Sequence, residues 1–85
     1  MELCIGKVIN FKETTYYIRT LEYMRDKSIA SLLGLSINEY QNIVKRFNSY
    51  IRSDGELFFK NKEDAEKCIE ILETYYLIMK RLTGE

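Results

Sequence analysis

The chain has 85 residues, with 13 basic and 13 acidic side chains and no histidine, so its formal net charge is zero. That length makes one modest core and one domain, spanning residues 1–85, and zero net charge excludes a molecule drawn as a whole to polyanions. A hydrophobic fraction of 46%, with seven Tyr and four Phe, excludes a disordered chain.

Cys4 and Cys68 stand far apart, form no C-x-x-C and have no histidine to join them, so no metal site and no cofactor is expected. They read as two small buried apolar residues of a reduced, cytoplasmic protein. The N-terminal apolar run is too short for a signal peptide, and no run approaches the ~20 apolar residues of a membrane span.

Residues 3–11 alternate loosely through Ile5, Val8, Ile9 and Phe11, which predicts a short strand. Thr14 or Thr15 is placed to cap a first helix over about 15–25, with Tyr17, Leu21 and Met24 on one side and Ile18 and Tyr23 flanking them. Ser28 is expected to cap a second, short helix ending near Leu33, where Gly34 supplies the left-handed conformation that stops it. Ser36 starts a third helix, on which Tyr40, Ile43, Val44 and Phe47 follow the spacing of an inward face.

Two β-compatible runs then flank Asp54 and Gly55, which predicts a hairpin over 50–60 closed by a two-residue turn. Asn61 is placed to cap a last helix over 62–82, with Asp64 three residues on, acids in its early turns and Lys80 and Arg81 in its final turn. Ala65, Cys68, Leu72, Tyr75, Met79 and Leu82 keep a 3-4 spacing along it, while Ile69, Ile71, Tyr76, Leu77 and Ile78 fall outside that stripe. An apolar surplus of this kind implies burial on two sides. It makes Ile71, Tyr75, Ile78, Met79 and Leu82 the candidate surface for a homodimer or a partner.

Between residues 26 and 45 the small Ala30, the turn glycine Gly34 and the apolar Ile29, Leu33, Leu35 and Ile43 resemble a helix-turn-helix of the DNA-binding family. Tyr40 departs from the aliphatic residue usual there. The resemblance, covering residues 28–48, implies an α+β, mostly helical, winged helix-turn-helix-like fold, with the hairpin in the place of the wing and a long C-terminal helix appended. It also implies duplex DNA as partner. Ser36, Ile37, Asn38, Gln41, Asn42 and Lys45 would then face the major groove, and Arg46, Arg52 and Lys60 the phosphates. No acid lies between Tyr40 and Ser53, but Glu39, Asp54 and Glu56 oppose a phosphate approach.

The stretch 55–72, G-E-L-F-F-K-N-K-E-D-A-E-K-C-I-E-I-L, resembles small proteins of bacteriophages and mobile elements. That likeness implies a transcriptional regulator or, alternatively, an inhibitor or adaptor that binds a host or phage enzyme, of the anti-defence or anti-CRISPR type. No paired acids, phosphate loop or nucleophile and base stand out, so enzymatic activity is not expected.

Overall fold

A computed structural model describes residues 2–82, in the order β1 (Leu3–Ile9), β2 (Thr14–Thr20), α1 (Asp26–Leu32), α2 (Ile37–Val44), a 3-10 turn (Lys45–Phe47), β3 (Ser49–Ile51), β4 (Leu57–Phe59) and α3 (Lys62–Leu82). The four strands form one antiparallel sheet in the order β1-β2-β4-β3. The fold is therefore α+β, with three α-helices and a sheet larger than a single hairpin.

The helix expected over 15–25 is absent, and β2 stands in its place. T-T-Y-Y-I-R-T is rich in β-branched and aromatic residues, which pack well on a pleated surface. β1 supplies that surface in register from Leu3 opposite Thr20 to Ile9 opposite Thr14. Asn10 closes the hairpin: its Oδ1 accepts the N–H groups of Lys12 and Glu13, and its own N–H donates to the Glu13 carbonyl. Beyond β2 the chain turns through Tyr23 at φ 65°, with Thr20 Oγ1 accepting the Met24 N–H, so Leu21, Tyr23 and Met24 lie exposed.

α1 also begins earlier than Ser28. Arg25 is its N-cap without a side-chain hydrogen bond, and Ser28 lies inside the helix. The β3–β4 turn has three residues rather than two. Arg52 N donates to the Glu56 carbonyl and Gly55, at φ 84°, donates to Arg52, the arrangement of a hairpin whose third loop residue is left-handed. α3 runs over the expected span, with Glu63 and Asp64 in its first turn and Lys80 and Arg81 in its last, and Asn61 Nδ2 donates to Asp64 Oδ2.

One core joins all the layers. Ile18, Leu57 and Phe59 from the sheet meet Ile29, Ala30 and Leu33 of α1, Tyr40 and Val44 of α2, and Ala65, Cys68 and Leu72 of α3. Each fully buried aliphatic side chain contributes roughly 1.5–3 kcal/mol. Strand alternation sends Tyr17, Tyr50 and Phe58 to the opposite face of the sheet. There the Tyr17 ring lies over Gly6, where any Cβ would collide with it. Among the described residues no helix is long and apolar enough to cross a membrane.

Candidate functional site

The helix pair is built from its turn outward. At the end of α1, Gly34 at φ 71° donates to the Ser31 carbonyl and Leu35 N donates to the Ala30 carbonyl, the two bonds of a Schellman motif. Ser36 follows at once as the N-cap of α2. Its Oγ accepts from Glu39 N, and the Glu39 carboxylate accepts from Ser36 N, a complete capping box. The Ser36 backbone N–H first, and then the Ser36 hydroxyl, hold the Glu39 carboxyl below its ordinary range. Glu39 is thus turned back on its own helix end and stays ionised there.

α2 buries Tyr40 and Val44 and continues into the 3-10 turn, which Asn48 ends at φ 58°. Ser49 Oγ then donates to the Val44 carbonyl, tying the helix end to β3. Of the residues expected at a groove, Ser36, Asn38, Asn42, Lys45 and Arg46 are exposed, whereas Gln41 and Ile37 are half-buried. Ile37 packs against the core, and Ser36 Oγ is already used by its cap. Asn38, Asn42, Lys45 and Arg46 are the side chains with free reach.

Tyr40 is held by a buried polar contact. It is fully buried, and its hydroxyl donates to Asp26 Oδ1 at 3.3 Å, while Asp26 Oδ2 accepts the Leu57 N–H at 2.9 Å. One carboxylate, only 5% exposed, therefore joins the start of α1, the middle of α2 and the start of β4. Burial raises the Asp26 carboxyl above its ordinary value, against the opposing pull of the Leu57 N–H, Arg25 and the Tyr40 hydroxyl. Burial and the Asp26 charge also push the Tyr40 hydroxyl upward, and the same two causes push the Cys68 thiol up to about 12. Cys68 is buried as expected, but Cys4 is only half-buried, and both are free thiols.

Arg52 and Lys60 belong to the outer face of the sheet. The Arg52 guanidinium lies 4.5 Å from the Phe58 ring centroid and Lys60 Nζ 6.0 Å from that of Tyr50. Arg25 joins them, 3.9 Å from the Tyr17 centroid, with Nη1 2.7 Å from Glu56 Oε2. Arg52 Nη2 in turn lies 4.0 Å from Asp54 Oδ2. The two hairpin acids Asp54 and Glu56 are therefore paired within the protein. A cleft of about 280 Å³, lined in part by Arg25, Asp26, Ser28, Ile37, Gly55 and Glu56, separates the hairpin tip from the helix pair.

On α3, Ile71, Ile78 and Leu82 are exposed as expected, but Tyr75 and Met79 are half-buried. Tyr75 packs against the core, and the Met79 methyl reaches the turn at Gly34. Leu77, at 60% exposure, is the apolar side chain that the interface expectation left out.

Asp26 and Arg25 were missed as well. An isolated acid or arginine gives no sequence sign of burial, and only the departure at Tyr40 hinted at a polar partner. Among the described residues no group of three His, Cys, Asp or Glu side chains could hold a metal ion. No family model matches this chain, and no curated protein or solved structure shows significant similarity to it.

Proposed function

We propose that the protein is a small, non-enzymatic DNA-binding regulator of winged helix-turn-helix type, which places α2 in the major groove and the β3–β4 hairpin against the flanking backbone. The observation that carries this reading is the α1–Gly34–α2 unit. A Schellman turn and a capping box fix the two helices in three residues, and the exposed face of α2 and of the 3-10 turn that continues it is left with Asn38, Asn42, Lys45 and Arg46. Asn makes paired hydrogen bonds to adenine, and Lys and Arg reach guanine or phosphate. The strand order supports the same reading. β2 precedes the helix pair, and β4 lies between it and β3 in the sheet, an order that suits a hairpin acting as a wing.

Arg52 and Lys60 serve as phosphate contacts from the outer sheet face rather than from the flank of α2. With Asp54 and Glu56 already paired, the hairpin presents less free negative charge than its composition suggests. Zero net charge still limits the affinity to what a few local contacts supply. A fluorescence anisotropy titration with mixed-sequence duplex DNA at ~50 mM salt tests the proposal, with binding expected in the micromolar range. Absence of binding at tens of micromolar overturns it.

A protein target is the second reading, favoured by the neutral charge and by the exposed apolar side chains of α3. It makes the chain an inhibitor or adaptor of a host or phage enzyme. Lys45→Glu with Arg46→Glu separates the two: DNA binding collapses, while a contact centred on α3 survives.

A further inference from the structure

Six exposed residues of α3, Glu70, Ile71, Thr74, Leu77, Ile78 and Arg81, recur at the spacing of one helix face. That face is turned away from Ala65, Cys68 and Leu72, which pack into the core. Ile71, Leu77 and Ile78 are 48%, 60% and 53% exposed. The Thr74 hydroxyl between them already donates to the Glu70 carbonyl at 2.9 Å, so it makes no polar demand on a partner.

Charge is segregated along the same helix. Residues 62–73 hold five acids and two lysines, whereas residues 74–82 hold Lys80 and Arg81 and no acid. Two such helices attract when they run antiparallel and repel when they run parallel.

We propose that this face pairs with the same face of a second copy of the chain, antiparallel, about a two-fold axis crossing α3 between Tyr75 and Tyr76. Ile71 then meets Ile78 of the second copy, Thr74 meets Leu77, and Glu70 meets Arg81, each contact occurring twice because the interface is isologous. Twelve residues of helix span only ~18 Å, so the contact is smaller than a standard interface of ~800 Å² per partner. Its dissociation constant accordingly falls at ~10–100 µM, the range of a transient dimer. The dimer rests on α3 alone, independently of whether α2 meets DNA.

Sedimentation equilibrium on the full chain from ~10 µM to ~1 mM is the test, a range that brackets this dissociation constant. Wild type should fit a monomer–dimer equilibrium. Glu70→Arg and Arg81→Glu should each weaken it at least ~10-fold, and the double reversal should restore it to within ~3-fold, because it re-forms the pair with its signs exchanged. Circular dichroism melts of the same variants check that they fold, as expected for exposed positions. A wild type that stays monomeric at ~1 mM overturns the proposal. So does a dimer indifferent to the single reversals, or a double reversal that fails to restore association.

Discussion

Replacing Asp26 with alanine should unfold this domain more readily than any surface change, because two buried donors lose their acceptor together. Leu57 and Tyr40 are both 0% exposed, and their N–H and O–H groups end on the two oxygens of Asp26. A buried donor left unpaired costs ~1–3 kcal/mol, and the relief of a desolvated carboxylate offsets part of that. The net loss should be ~2–4 kcal/mol, a large share of the ~4–13 kcal/mol expected for a domain of this size.

Tyr40→Phe removes only the longer bond, at 3.3 Å, and should cost ~0.5–1 kcal/mol. Asp26→Asn keeps an acceptor for Leu57 and adds pH information. The folded-state carboxyl is raised above its ordinary 3.8, so the fold favours the protonated acid. Asp26's contribution is therefore complete below pH 3.8 and is lost as pH rises through the raised value. Urea denaturation followed by circular dichroism at several pH values should show wild type losing stability relative to Asp26→Asn as pH rises across that window. A difference that is constant, or that grows in favour of wild type with pH, refutes the buried-clamp reasoning. An Asp26→Ala cost below ~0.5 kcal/mol refutes it as well.

Ser36→Ala breaks the capping box and should cost ~1 kcal/mol in urea melts. It should also weaken any DNA binding by loosening the first turn of α2. Gly34→Ala forces a left-handed conformation on a residue with a side chain, and its new methyl must displace the Met79 methyl, 3.2 Å away. Thermal denaturation should show a loss of ~1–2 kcal/mol, or ~4–16 °C in Tm. Iodoacetamide at pH 8 should label half-buried Cys4 but not Cys68, whose thiol is inaccessible and pushed up to about 12. Intact mass should therefore show one adduct on the native protein and two in urea, and rapid double labelling of native protein would contradict the packing.

Local signals carried the helix pair. Gly34 needed a positive φ, Ser36 and Glu39 stood at capping-box spacing, and Tyr40, Ile43, Val44 and Phe47 kept a helical period, so the α1 end and all of α2 were legible from neighbours within one or two turns. α3 was legible for the same reason, because its acids, its cations and its apolar stripe all lie within one continuous helix.

The run Y-Y-I-R-T-L-E-Y-M has a passable helical stripe, and the ladders of β1 and β4, distant in the sequence pattern, are what make its part up to Thr20 a strand. The Asn10 turn was the local sign of that hairpin. Tyr40 was legible only as a departure from a pattern.

Sequence by itself thus determined the elements whose bonds close within a few residues: the turn at Gly34, the cap at Ser36 and the long last helix. Tertiary structure decided the β1–β2 pairing, the move of Arg52 and Lys60 to the outer sheet face, and the Asp26 clamp between Tyr40 and Leu57. Partners 14 and 31 residues apart in the chain leave no periodicity to read, and a carboxylate is normally solvated, so only the assembled core makes its burial favourable.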